Sequence, residues 1–268
     1  FKAIEWASER AKTLGLAAVS IKRTHHIAAL APYARHVAQN GQVLLMMTSA
    51  PLGGSVAPFG GTEALFSPSP LGFGYGDGHQ PVMVDVSTSS TTNNKIIQYS
   101  RDGKLLEHPW LQDDQGRATN DPTVMQRKGT VLPVGGKDSG HKGYGLALAI
   151  DLLCGPLNGN PYGPHIPGMF TELDTPRRLG AFFIVLDPQR FAGGAVLAAA
   201  VEAMARDLAA EPGSPRMPGD PQLQAQQRRQ ARGIPLEPGL QHEMRAWSER
   251  LGVALPAWRD EPQATETE

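Results

Sequence analysis

One cysteine, Cys154, stands among 268 residues, so no intrachain disulfide framework is available. The fold must be held by burial, and the length suffices for one large domain or two modest ones. The thiol sits in an apolar run, where a buried structural role outweighs that of a nucleophile, and a reducing, cytoplasmic location is expected. An excess of charge of one sign is also lacking: 25 Lys and Arg against 26 Asp and Glu leave a net charge of −1. Nucleic-acid binding is not expected without a cationic face to displace counterions. No apolar run reaches the length of a membrane span and no secretory leader is visible, so no membrane partner is expected either. Several chemical signatures are absent. There is no GxGxxG, no GxxxxGK[ST], no HExxH or CxxC, and no GxSxG. A standard Rossmann site, a phosphate loop, a common metal site and a hydrolase elbow all lose their sequence grounds.

Glycine is plentiful. Gly135, Gly136, Gly140, Gly143 and Gly145 are threaded with Lys137, His141 and Lys142, and an apolar run, Leu146 to Leu153, follows. This reads either as a loop built to hold an anion at a helix N-terminus or as a glycine-rich turn before a core helix. Around it, apolar periodicity predicts helices over 1–15 and from after Ile27 to Asn40, and strands over 16–22, 42–47, 82–86 and 181–186. A helix is expected within 87–100, and others over 146–153, 195–208, 222–232 and 240–251. The stretch 48–80 is too rich in Gly, Pro and Ser for a passive connection and reads as a functional or disordered loop. Residues 107–141 read as another polar, irregular stretch. The acidic tail after Trp258 is expected to be disordered. No internal repeat is evident.

Two constellations could carry chemistry. Arg23-Thr24-His25-His26 lies at a strand-to-helix junction, where an imidazole can exchange a proton with a substrate hydroxyl or anchor a carboxylate. Ordinary hydrogen bonding by loop histidines is the plain alternative. His36, His79, His108, His141, His165 and His242 are scattered, so no metal site is expected. Asp85-Val86-Ser87-Thr88-Ser89 ends a strand, where hydroxyls and N–H groups can grip ribose or phosphate, or cap a helix.

These segments occur in a specific order: HHIAAL, VAPFGG, FSPSP, VDVSTS, GRATNDP, LPVGG followed by HKGYGL, and MPGD. In that order they resemble the malate/L-lactate dehydrogenase family of NAD(P)-dependent oxidoreductases, over roughly Phe1 to Val253. That family is distinct from the Rossmann-type lactate and malate dehydrogenases. It includes ureidoglycolate and sulfolactate dehydrogenases and Δ1-piperideine-2-carboxylate reductases. The resemblance implies an α/β fold with a non-Rossmann nicotinamide-binding domain of the L-sulfolactate/malate dehydrogenase-like type, its C-terminal helices packing on a second, helical region. The corresponding divisions are 1–41 leading into the core, 42–210 as the nicotinamide-binding domain, 211–258 as a helical segment and 259–268 as the tail. It also implies NAD or NADP as cofactor, a small 2-oxo or 2-hydroxy acid as substrate, and a homodimer with the active site near the interface.

Residue by residue, the family's SxHFG motif falls on Thr24 to Ala28, making His26 the acid/base residue, with Ala28, Ala29 and Leu30 against the nicotinamide. Asp85, Ser87 and Thr88 fall on its DMATS motif, and His141, Lys142 and Gly143 on its KGYGL segment. Gly219 and Asp220 fall on its PGE, also near the cofactor. Ser49 and Ser55 compete for a cofactor-contacting serine before VAPFGG. Departures are Ser67-Pro68-Ser69-Pro70 where the family has GTNP, Ala28 where it has glycine, and Lys95 where the imine-reductase branch carries an aspartate. The family's N-terminal Ser-His-Gly segment, which supplies a second histidine, precedes the point at which this sequence begins. The expected activity is hydride transfer at C2 of a malate- or lactate-like acid. Cyclic imine reduction and a non-catalytic cofactor-binding member are the alternatives.

Overall fold

The computed structural model describes all residues except 52–53, 77–80, 170–171, 214 and 259–268; the expectations for His79 and for the acidic tail lie outside the described residues. The chain divides into two compact units, Phe1–Pro218 and Gly219–Glu268. The first unit contains the strands β1 (Leu16–Thr24), β2 (Val43–Thr48), β3 (Leu71–Tyr75), β4 (Val82–Val86), β5 (Leu111–Gln112), β6 (Ala118–Thr119), β7 (Thr130–Val131) and β8 (Leu179–Leu186). Its helices are α1 (Lys2–Leu14), α2 (Ala31–Ala38), α3 (Asn93–Arg101), α4 (Gly136–Cys154) and α5 (Gly194–Ala210). The second unit holds α6 (Asp220–Arg232) and α7 (Pro238–Leu251).

The main sheet has the order β1-β8-β2-β3-β4, and every pairing in it is antiparallel. Alternation along the strands sends side chains to two opposite layers. Leu44, Met46, Ala181, Phe183 and Val185 meet Ile4, Ala7 and Ala11 of α1 and Leu30, Ala34 and Val37 near and in α2. Met47, Leu45, Leu71 and Phe182 meet Ile150 and Cys154 of α4. The result is helix, sheet, helix: an α/β architecture in which the described strands pair antiparallel.

Gly72 and Gly74, read as part of a loop over 48–80, belong to β3 instead. A Cβ on Gly72 would come 2.8 Å from Leu30, one on Gly74 2.7 Å from Ala34, and one on Gly76 3.5 Å from Ala38. Two strand residues rise about 6.6 Å and four helix residues about 6 Å. The glycines at i, i+2 and i+4 therefore match helix positions at i, i+4 and i+8 and let α2 lie close on the sheet. The strand was hidden because its glycines make room for a helix rather than shape a turn.

The glycine-rich run from Gly135 corrects a second expectation. It is no loop: α4 starts at Gly136, ten residues before the apolar run. Its glycines serve close packing. A Cβ on Gly140 would lie 3.0 Å from both Phe59 and Pro133, and one on Gly143 2.6 Å from the Val134 nitrogen. Lys137 donates to the buried Gln112 carboxamide oxygen, so it is occupied structurally. α4 is apolar on more than one face because it joins two cores. Ile150 and Cys154 enter the main one, while Ala147 enters a second, with Val56, Phe66, Ile96, Leu106, Leu111, Val124 and Val131, around the small sheet β6-β5-β7.

Burial pushes the Cys154 thiol up to about 12, so it is an inert core residue. One turn earlier, Asp151 is 3% exposed with Oδ1 unpartnered. Burial raises its carboxyl to about 6, against the opposing effect of a hydrogen bond from the Gly163 N–H. The folded state thus holds this proton more tightly than the unfolded chain does. The contribution is fully present below about pH 4 and is lost as pH rises through about 6. Asp151→Asn is expected to raise the urea midpoint at pH 7.5 and to flatten the decline in stability between about pH 4 and 6; comparing urea melts of the two proteins across that range checks it.

Candidate active site

β1 ends in a bulge. Ile21 pairs with Ala181 and Thr24 with Leu179, so Lys22 and Arg23 together face Gly180. Arg23 takes a left-handed conformation, φ 57°. Beyond the bulge His25 and His26 are exposed, followed by Ala28 and Ala29, also exposed. Ala28 has φ 61°, a region disfavoured for a residue with a Cβ. Leu30, expected against the nicotinamide, is instead fully buried; it packs into the core against Gly72.

Asp85 holds this segment in place. It pairs with Gly72 in the sheet, and Leu30 lies over Gly72. From there Asp85 Oδ2 accepts from the backbone N–H of Leu30 at 2.7 Å and of Ala31 at 2.9 Å. Leu30 caps α2 without a side-chain capping group of its own, so the carboxylate satisfies amides that the helix leaves unpaired. The next residues extend the connection. Thr88 is buried; its N–H and hydroxyl both donate to the Pro68 carbonyl, at 2.9 and 3.1 Å. Val134 N–H donates to Thr88 C=O, and Gly143 N–H to Val134 C=O. Ser90 donates from its N–H to Leu132 C=O and from its hydroxyl to Pro133 C=O.

The structure therefore joins the His26 segment, Asp85–Ser90, the Ser67–Pro70 turn and the start of α4 into one bonded network. Ser87 and Ser89 bond each other. His141 and Lys142 are exposed on α4, His141 with its ring edge-on to Phe59; Lys142 has no ion pair among the described residues. Of the two competing serines, Ser49 exchanges hydrogen bonds with the Gly180 backbone and Ser55 Oγ accepts from Asn93. Both are buried. Gly219 and Asp220 open α6 in the second unit. Ser69 sits at φ 27°, at the position where GTNP places asparagine, a residue that tolerates this region. No cluster of three metal-ligating side chains occurs among the described residues.

Sequence reasoning missed Asp85's partner, because the register that sets it against Leu30 depends on β3.

The profile of the malate/L-lactate dehydrogenase family matches residues 1–245. The chain belongs to this family. Its relatives include L-sulfolactate dehydrogenase of Methanothermobacter thermautotrophicus, 27% identical over 95% of this chain and 72% of the relative. Another is the NAD(+) ureidoglycolate dehydrogenase of Escherichia coli K12, 32% identical over 70% of this chain and 52% of the relative. Among solved structures, malate dehydrogenase from Entamoeba histolytica superposes with a TM-score of 0.85 at 25% identity, over 95% of this chain and 73% of the other. The chain spans from about half to about three quarters of the length of the relatives it matches.

Asp85→Ala is expected to cost about 0.5–2 kcal/mol, the range for losing a helix cap, and Ala28→Gly to stabilise by about 1 kcal/mol by relieving the left-handed Cβ. Urea unfolding of both variants reads these opposite signs.

Proposed function

We propose that this chain catalyses hydride transfer between NAD(P)(H) and C2 of a small 2-hydroxy or 2-oxo acid, with His26 as the acid/base residue. The observation that carries the reading is an exposed histidine on a segment whose position is set by Asp85, in a chain matching a dehydrogenase family over residues 1–245. Relatives are named both as NAD(+) and as NADP(+) enzymes, and either cofactor is consistent with the residues here. The network leaves accessible groups suited to it: the small, exposed Ala28 and Ala29 for close approach of a flat ring, and the Lys142 amine and His141 for its phosphates. The bound nicotinamide would accept or deliver the hydride at C2. In oxidation, neutral His26 takes the substrate hydroxyl proton as the carbonyl forms; in reduction, the imidazolium returns it to the developing alkoxide. Asp85 is a positioning residue, acting through the backbone of Leu30 and Ala31.

The second reading is reduction of a cyclic imine acid. It is favoured by the Δ1-pyrroline/Δ1-piperideine-2-carboxylate reductase of Pseudomonas syringae, 31% identical over 84% of this chain and 64% of the relative. Lys95 argues against it. Its amine pairs with Glu107 at 2.9 Å and lies 4.9 Å over the Trp110 ring, so a cation stands where that branch carries an acid.

A homodimer fits the exposed face of α4, where Leu146 and Leu152 are 54% and 52% exposed, and light scattering tests it. No described helix is long and apolar enough to cross a membrane; the cytoplasmic location is part of the proposal.

Full-length protein is to be mixed with NADH or NADPH and a panel of 2-oxo acids and cyclic imines while nicotinamide absorbance is followed. Turnover of oxo acids in preference to imines is expected, with His26→Asn lowering kcat about 10²- to 10⁴-fold. Cofactor binding without turnover of any oxo acid, or an unimpaired His26→Asn enzyme, would overturn the assignment.

A further inference from the structure

Around His25, the residue before His26, the fold has a second feature that the proton-transfer reading does not use. A pocket of about 460 Å³ is lined by Arg23, Thr24, His25, Pro176, Arg177 and Arg178, within the size range of small-molecule sites. Three of the six are guanidinium groups, charged at any working pH. Among the described residues no carboxylate lies within ion-pair distance of any of them.

Arg177 is the most constrained. It is only 3% exposed. Its Nη1 donates to the carbonyls of Glu172 and Thr175 and its Nη2 to that of Met169. These carbonyls fix the plane of the guanidinium but do not neutralise it, and Nε is buried without an acceptor. A buried charge left without a counterion is costly. Its two neighbours carry backbone strain at the same place. Arg23 sits on the β1 bulge at φ 57° and Arg178 just before β8 at φ 50°. Bulges re-aim side chains and occur often beside active sites. Gly180, opposite the bulge, cannot acquire a side chain: its Cβ would overlap the Cys154 carbonyl and come 2.7 Å from Asn160 Nδ2. Asn160 Oδ1 in turn accepts from the Arg23 N–H. The strained arrangement is thus enforced by the core behind it.

We propose that this pocket is an oxyanion subsite that receives the second acidic group of a dianionic 2-hydroxy or 2-oxo acid, so that the enzyme selects dianionic over monoanionic acids. This rests on the reading of His26 as the acid/base residue: the pocket includes His25, the residue before it. Paired N–H groups of arginine match the two oxygens of a carboxylate or sulfonate, and Arg23 and Arg178, both exposed, supply them. Arg177 adds fixed positive potential behind them. A cofactor phosphate offers the same oxyanion chemistry from another source.

The test has two arms, each using full-length protein with Arg23→Gln and Arg178→Gln, after thermal melts show both variants folded. In the first, kcat/KM is measured for oxaloacetate and for pyruvate at saturating cofactor. Each substitution is expected to lower the oxaloacetate value roughly 10- to 100-fold while leaving pyruvate within about threefold. An unchanged ratio overturns the proposal, and so does a raised KM for NADPH with the ratio unmoved, which assigns the pocket to the cofactor. In the second, arginine modification by phenylglyoxal is mapped by mass spectrometry with malate or lactate at equal ionic strength. Malate is expected to protect Arg23 and Arg178 where lactate does not; equal protection by both, or by neither, overturns the proposal. This arm needs no turnover. Selective protection by malate in a protein without activity would sustain the subsite while removing the dehydrogenase assignment.

Discussion

Two hydrogen bonds to one carboxylate oxygen, from Leu30 and Ala31 to Asp85, fix the candidate site to the sheet. They stand on a prior condition, the absence of a Cβ at Gly72 and Gly74, which lets α2 settle close enough for β4 to reach its N-terminus. Everything exposed between the β1 bulge and α2, including His26, hangs between two anchored ends. The bulge is locked to β8 and Asn160 on one side, and Asp85 holds the other. A short loop fixed at both ends loses little further entropy on receiving a substrate, the economy that positions catalytic groups in general.

Much of this was legible in the sequence, and the parts that were not share a cause. The helices α1 and α2 and the strands β1, β2, β4 and β8 follow from apolar periodicity, because each presents one face or one alternating set to a layered core. β3 did not, since Gly72 and Gly74 occupy the face on which a strand normally announces itself with large apolar residues. The first ten residues of α4 were equally hidden. Glycine has low helix propensity, and only the nearness of Phe59, Pro133 and Val134 explains why glycine is needed there. In both cases the residue type was noticed and read as irregular chain: the glycines of a functional or disordered loop over 48–80, and those of an anion-holding loop or a turn before a core helix, are contacts between elements.

Individual residues of the candidate site also bond within the protein. Thr88, Ser49 and Ser55 were singled out as groups for a cofactor, yet their hydroxyls bond within the protein, to Pro68, Gly180 and Asn93 respectively. A hydroxyl already satisfied in the core can still shape a site by holding the chain that lines it. In this structure these three hydroxyls have partners within the protein, whereas no hydrogen bond or ion pair engages the exposed His26 and Lys142 side chains among the described residues.

Strain is distributed in the same pattern. Among the described residues, five that are not glycine have positive φ: Arg23, Ala28, Ser69, Lys128 and Arg178. Lys128 closes the short turn Pro122–Arg127. The other four belong to the segments around the candidate site: the bulge, the loop after His26, the turn that Thr88 grips, and the entry to β8. Each left-handed residue with a side chain costs about 1–2 kcal/mol, a sum comparable with a sizeable fraction of a domain's net stability. A chain free to relax would not keep four such residues together, so the packing of α1, α2 and α4 on the sheet must over-determine their positions. Stability in the three-layer core is what permits unfavourable backbone at its rim. The price falls where side chains of fixed direction, above all Arg23 and Arg178 in the pocket they line with His25, have chemistry to do.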